Sequence, residues 1–323
     1  MPTISSNQNP VRVSVVIPMW NQLELTQRCV RSLRELACAP EQVIVVDNGS
    51  RPDPRAALEA TWPAVRVVHL ERNRGFAGGC NAGIRHALAA GADAILLLNN
   101  DAVVHPALLT ELVRELQADP RIAAAGAKTL TDETPPRIHA AYGVLTFHGS
   151  LVRVEGWLEP DLDKFNQPCD VDSASGSALL MRREALLAIG LFDEEFFAYH
   201  EDVDWCTRAR RAGWRIRYAP SALIYHRMHA STGGGYASPI TYLVARNSVL
   251  FVRKNATLGQ TLTYCVYTTG NLLKELVFRW RRGELQGYRM RLRGLRDGLL
   301  RRTVPLTELG LAPPDAGRSP VAV

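Results

Sequence analysis

The sequence predicts an α/β protein: a mostly parallel central sheet flanked by helices, followed by a C-terminal helical extension. Three observations carry that expectation. Residues 13–17, 43–46, 65–70 and 95–98 are short Val- and Ile-rich runs, largely apolar on both faces, as strands of a covered parallel sheet are. Helix-like stretches at 23–36, 55–61 and 77–90 separate them, and strand–helix–strand alternation is the pattern of parallel sheets. With 323 residues, 46% of them hydrophobic and 22% charged, the chain can bury a sizeable core. A disordered tail protein, a disulfide-stapled miniprotein and a collagen-like repeat are excluded.

A further helix is expected over 106–117, with Pro106 suited to its first turn. After Ala123 the pattern changes. A glycine-containing hairpin is expected over 142–154, a strand over 178–181, a helix over 202–212 and two strands, 215–218 and 222–225. Gly233, Gly234 and Gly235 mark a loop, and 241–302 is mostly helical in pattern. These readings divide the chain into a flexible N-terminus (1–10), a main domain (11–235), a helical extension (236–302) and a loose, proline-containing tail (303–323).

The net charge of +6 is unevenly placed: nine arginines between Arg279 and Arg302 face only Glu284 and Asp297, and everything else sums to −1. A near-neutral body with one basic segment argues against a nucleic-acid binder. Within that segment Leu285, Tyr288, Leu292, Leu295 and Leu299 form one helical stripe. Such a basic amphipathic helix suits an anionic membrane surface, packing on the body, or a homo-oligomer seam. Six scattered cysteines without a C-x-x-C pair fit a reducing compartment. Residues 1–10 lack the apolar core of a signal peptide. Residues 258–278, the most apolar long stretch, include Lys274 and Glu275. A cytoplasmic protein, with membrane contact only at its periphery, is the expectation.

In open parallel sheets ligands bind beyond the carboxyl ends of the strands. Here these ends run into Pro18-Met19-Trp20-Asn21, Asp47-Asn48-Gly49-Ser50, Asn73-Arg74-Gly75-Phe76 and Asn99-Asn100-Asp101. Each loop alone is a good turn sequence; four polar loops on one edge suggest a site. The glycines at 75, 78, 79 and 83 form no G-x-G-x-x-G, and Ile84-Arg85 stands where a P-loop needs Lys and Ser/Thr. Glu201-Asp202-Val203-Asp204 precedes a helix and follows Phe196, Phe197 and Tyr199. Helix-dipole compensation explains such acids; so does a general base beside a substrate hydroxyl. His226, at a strand end, is a structural histidine or, with Asp101, part of a divalent-metal site.

Taken in order, these motifs resemble glycosyltransferase family 2. The resemblance runs from Val16-Ile17-Pro18 with Asn21, through the 47–50 and 73–76 loops, Asn81 and Gly83, to Asn99-Asn100-Asp101. It continues through Ser175-Gly176-Ser177, Arg183-Glu184, Gly190, Phe192-Asp193, Phe197-x-Tyr199-x-Glu201-Asp202-x-Asp204, Pro220, His226, Ser231-Thr232 and Arg246-Asn247. It covers roughly residues 12–250, and within the family bacterial rhamnosyltransferase-like members are most similar. The resemblance implies a GT-A fold with a Rossmann-like sheet and an inverting transfer from a nucleotide-diphosphate sugar.

By the same resemblance Asp47 would hold a pyrimidine base beside the Pro18 and Asn21 loop. Asn73 and Gly75 would line the nucleotide pocket. Asn100 and Asp101 would face the donor, with Asp101 and His226 holding Mg²⁺ or Mn²⁺. Asn99 and Asn100 replace acids that many relatives carry, which weakens metal binding without a diphosphate. Asp202 would be the catalytic base, Glu201 the other candidate, and Asp204 a structural acid. The 228–236 loop would be a lid. Arg246 would touch the diphosphate or the acceptor, or be only a helix-surface charge. A dTDP-L-rhamnose donor and a glycan or lipid-linked acceptor in cell-surface polysaccharide biosynthesis are the first expectation. A UDP-sugar donor and a catalytically silent sugar-nucleotide-binding scaffold are the rivals.

Overall fold

The computed structural model describes residues 11–148, 150–226, 236–282 and 284–312. The chain opens with β1 (Val13–Met19), α1 (Leu23–Ser32), β2 (Gln42–Asp47), α2 (Arg55–Thr61), β3 (Val65–His69), α3 (Gly75–Ala89) and β4 (Ala94–Leu98). Next come β5 (Ala102–Val104), α4 (Leu108–Gln117), β6 (Ile122–Thr131), β7 (Ile138–Ala140), β8 (Gly143–His148) and β9 (Ser150–Val154). They are followed by β10 (Cys169–Asp170), β11 (Ala178–Arg182), α5 (Arg183–Ile189), α6 (Glu201–Arg211) and β12 (Arg215–His226). Three helices close the chain: α7 (Pro239–Asn255), α8 (Leu258–Arg282) and α9 (Leu285–Leu299).

The main sheet runs β10-β12-β6-β11-β4-β1-β2-β3, with β5 on β12 and β7 on β6. β1 is parallel to β2 and β4, β2 to β3, and β12 to β6, while β11 runs antiparallel between β4 and β6. Alternate residues of a strand face opposite sides. Val15 and Leu96 join an apolar layer with Leu112 and Leu180. Val16 and Leu97 join the other layer, with Ile84 and Trp205. Both faces are covered, which is why the strands read as continuous apolar runs.

Two differences from the sequence reading have simple causes. β6 is fully buried yet reads Ile122-Ala123-Ala124-Ala125-Gly126, a composition of weak strand propensity. Small residues are needed there because a Cβ added at Gly126 would collide with Ala174. The two short strands expected after Trp214 are one strand, β12, whose register shifts between Ala219 and Leu223. Pro220 lies at that irregularity, where a missing N–H is tolerated.

α9 packs on α7 through its small residues. A Cβ added at Gly298 would lie 2.5 Å from the Arg246 carbonyl oxygen, and one at Gly294 would collide with that of Tyr242. Tyr242 Oη also donates to Asp297 Oδ2 at 3.0 Å. Tyr288 of the apolar stripe is buried, whereas Leu292 and Leu299 are exposed. The tail expected to be loose from 303 is docked as far as Leu311, which is buried against Tyr242 and Leu243. Backbone capture explains it, because Asn73 Nδ2 donates to the Leu311 carbonyl at 2.9 Å. Among the described residues no helix is long and apolar enough to cross a membrane.

This packing makes a signed prediction. Gly294→Ala should destabilise the chain in urea melts by about 1–3 kcal/mol, because overpacking outweighs helix propensity. Gly270→Ala in α8, with nothing within 4 Å of the new Cβ, should stabilise it by about 0.5–1 kcal/mol. Equal effects of the two would contradict the close approach.

Candidate active site

The parallel register places the carboxyl ends of β4, β1, β2 and β3 side by side, so their polar loops share one edge. Asp47 is fully buried: its Oδ1 accepts from the Ser50 N–H at 2.9 Å, and its Oδ2 lies 2.7 Å from His69 Nδ1. Ser50 Oγ in turn accepts from the Asn21 N–H at 2.7 Å, tying the first two loops together. Asn48 Nδ2 donates to the Gly75 carbonyl at 2.8 Å and Asn73 Oδ1 accepts from the Gly75 N–H at 2.9 Å. Gly75 has φ +73, and an added Cβ would run into the Phe197 carbonyl, so only glycine fits.

A second meeting point follows from a short pairing. β5 begins directly after Asp101, and Ala102 pairs with His226 of β12. His226 Nε2 therefore lies 2.8 Å from Asp101 Oδ1 and 3.2 Å from Asn99 Nδ2. The His139 ring stacks on His226 at 5.1 Å between centroids, with Trp157 5.0 Å from His139. Asn100, behind Asp101, donates to Thr26 Oγ1 at 3.0 Å. Asn99 Oδ1 and His226 Nδ1 are buried without a hydrogen-bond partner among the described residues. A carboxylate, an imidazole and an amide oxygen are suitable donors for Mn²⁺ or Mg²⁺. The set is sparse: no three His, Cys, Asp or Glu residues gather among the described residues.

The acidic pair sits at the N-terminus of α6, after a contorted turn in which Phe197, Tyr199 and His200 all have positive φ (63, 71 and 72). Such conformations persist only where the surroundings enforce them. The enforcing group is Asn247 of α7, fully buried, whose Nδ2 lies 2.7, 2.7 and 2.8 Å from the carbonyl oxygens of Phe196, Ala198 and Tyr199. From the other side the Ala77 N–H donates to the Phe197 carbonyl at 3.0 Å.

This turn presents Asp202 and hides Glu201. The Gly176 N–H donates to Asp202 Oδ2 and the Val203 N–H to Oδ1, both at 2.8 Å. Burial pushes the Asp202 carboxyl above its usual range, opposed by those backbone donors. Burial, with the Asp202 charge next, pushes Glu201 well above its range. Its Oε2 has no partner among the described residues, so burial disfavours charge on Glu201 more strongly than on Asp202, which two backbone N–H groups support. Burial lowers His200 to about 4, leaving it neutral. Asp204 is held by Arg208 and Asn255, both at 2.8 Å.

Asp202 borders a cavity of about 490 Å³ that also meets Tyr142, Ser175, Tyr199, Val244 and Tyr264. Its walls, from the β8–β9 hairpin and α7 to α9, are mainly apolar and aromatic, suited to a sugar or lipid rather than a polyanion.

The structure brings Asp101 and His226 together, and Pro18, Asn21, Asp47 and Asn100 lie along the same edge. Arg246 departs from expectation. It is buried, and its guanidinium is engaged by the Arg302 carbonyl at 2.8 and 3.0 Å, the Glu195 carbonyl at 2.9 Å and Asn247 Oδ1 at 2.8 Å. Four of its five guanidinium N–H groups are thus taken up inside the protein. Asn73 and Gly75 are buried beneath Leu311 and Phe197. The expected 228–236 lid, with its glycines, lies outside the described residues except for Tyr236. His139 and Trp157 escaped the sequence reading, since no spacing links them to His226. Thr26 was equally silent.

A doubly covered, mostly parallel sheet with an acid and a histidine at its strand ends, and a carboxylate on the adjoining helix, defines a glycosyltransferase of the GT-A class. The family model for glycosyl transferase family 2 matches residues 14–190, and the chain belongs to that family. An N-acetylglucosaminyl-diphospho-decaprenol L-rhamnosyltransferase of Mycobacterium tuberculosis is 28% identical over 70% of this chain and 78% of its own. The dTDP-rhamnosyl transferase RfbF of Shigella flexneri is 24% identical over 75% and 80%. The fold is shared with the mannosyltransferase PcManGT of Pyrobaculum calidifontis in complex with GDP-Man and Mn²⁺ (TM-score 0.57, 15% identity, 89% and 87% covered). It is also shared with GalNAc-T7 with UDP, GalNAc and Mn²⁺ (TM-score 0.59, 16% identity), where 76% of this chain matches 48% of that one.

Two predictions follow from the clamp and the acid pair. Asn247→Ala leaves buried carbonyls without a donor and should cost about 2–3 kcal/mol in denaturant melts, lowering kcat more than nucleotide affinity. Glu201 binds its proton more tightly folded than unfolded, so its contribution to stability falls as pH rises above the ordinary carboxylate range. The thermal midpoint of Glu201→Gln relative to the parent should therefore climb between about pH 5 and pH 8. A pH-independent difference would contradict the buried, proton-holding Glu201.

Proposed function

We propose that this glycosyltransferase is inverting and divalent-metal-assisted, and moves a sugar from a nucleotide diphosphate to a hydroxyl of a glycan or lipid-linked saccharide in cell-surface polysaccharide assembly, at the cytoplasmic side of the membrane. The observation that carries the reading is Asp202: one carboxylate, steadied by two backbone donors, at the edge of an apolar cavity. Asp202 takes the proton of the acceptor hydroxyl as that oxygen attacks the anomeric carbon and the bond to the diphosphate breaks. A single base with in-line attack inverts the anomeric centre and needs no sugar–enzyme bond.

The donor lies along Pro18, Asn21, Asp47, Asn100 and Asp101. Asp101 and His226 would hold Mn²⁺ or Mg²⁺, which would supply positive charge against the diphosphate. Two protein ligands bind such an ion weakly, so metal and nucleotide affinity depend on each other. dTDP-L-rhamnose is the favoured donor, because both curated relatives described above are named for rhamnosyl transfer.

Thermal unfolding with dTDP, UDP and GDP, with and without Mn²⁺, tests the donor, since a ligand of the folded state raises apparent stability. A metal-dependent shift largest with dTDP is expected. A UDP preference would replace rhamnose with a UDP-sugar, and no shift with any nucleotide would favour a silent scaffold. Asp202→Asn should lower kcat by about 10²–10⁴-fold while keeping the nucleotide shift. Asp101→Asn should remove the metal dependence of that shift.

A further inference from the structure

The helix that leaves apolar surface in water is α8. Leu258, Leu262, Val266, Leu273, Val277 and Trp280 are each at least half exposed (78, 60, 69, 63, 51 and 69%). At 100° per residue they fall within one sector of about 100°. The stripe is about 33 Å long and is covered by nothing among the described residues. The opposite face holds Tyr264 and Thr268, which line the cavity beside Asp202, and Glu275, which binds Tyr236 Oη at 2.7 Å and Arg291 at 2.5 Å.

We propose that the exposed stripe of α8 docks the chain onto an anionic lipid surface. Charge selects that occupant. Glu275 is the helix's one carboxylate, and it faces inward. Exposed Lys274 and Arg281 border the stripe by their helical angle and have no carboxylate partner among the described residues. A second copy of the chain would set these cations against the same cations. Anionic headgroups meet them favourably, while the apolar side chains enter the acyl boundary and Trp280 takes the interfacial depth. Docked this way, the cavity wall formed by α8 lies next to the bilayer, which deepens the lipid-linked part of the proposed acceptor while standing on a separate observation.

The test is co-sedimentation of the full chain with phosphatidylcholine vesicles, with and without phosphatidylglycerol. The parent should bind the anionic vesicles, and Leu262→Glu/Val266→Glu should weaken that binding at least about tenfold. Lys274→Gln/Arg281→Gln should remove much of the preference for anionic vesicles. The nucleotide-induced thermal shift, read on the same preparations, reports folding and the donor site independently. No binding by the parent, or binding unchanged in the double glutamate variant, overturns the proposal. So does a parent dimer, seen by analytical ultracentrifugation, that the glutamates convert to monomer.

Discussion

The side-chain amide of Asn247 holds the 196–199 turn, and the placement of the acidic pair depends on that grip. Two protons shared among three carbonyls keep three non-glycine residues at positive φ. Without them the turn would relax, and α6 would no longer start where the Gly176 N–H can reach Asp202. Arg246 braces the same turn through Glu195 and also grips the chain at Arg302. α7 therefore serves the acidic pair from outside the region matched by the family model.

A second constraint is topological. β11 runs against its neighbours, which brings Ser175-Gly176-Ser177 to the carboxyl edge of the parallel strands, where the Asn99 N–H donates to the Ser177 carbonyl at 2.9 Å. The three-residue β5 turns the chain just after Asp101 and pairs it with the end of β12. Residues more than a hundred positions apart are thus brought to 2.8 Å of each other through one strand pairing. Asp101 stands at the strand-end edge beside His226, and Asp202 at the apolar cavity; the proposed displacement gives one end to each.

Much of this was legible in the sequence because parallel strands with both faces covered must be apolar throughout, and because strand-end loops need turn residues of recognisable kind. Asp47, Asp101 and His226 could be placed at strand ends for that reason, and Asp202 at a helix start by the acidic run around it. β6 could not, since close approach of Ala174 demands alanine and glycine where strand propensity demands branching. Arg246 was misleading, because an arginine in a motif reads as a ligand contact until its burial and carbonyl partners are seen. The stack of His139 and Trp157 on His226 arises from the β6–β7 pairing, whose partners carry no local signature. The apolar stripe of α8 is present in the sequence beside the equally amphipathic, arginine-rich α9. Only packing distinguishes the helix that is seated from the one that is bare.

The central claim is the proposal that a single carboxylate, Asp202, presented at the apolar cavity while its neighbour Glu201 is buried behind it, acts as the one base of the transfer. Proton NMR of the first-formed product from a donor of known anomeric configuration tests it most directly. The account predicts that the anomeric configuration is inverted. A product that retains the donor's configuration would require a second nucleophile or a front-face path, and would contradict the single-base site.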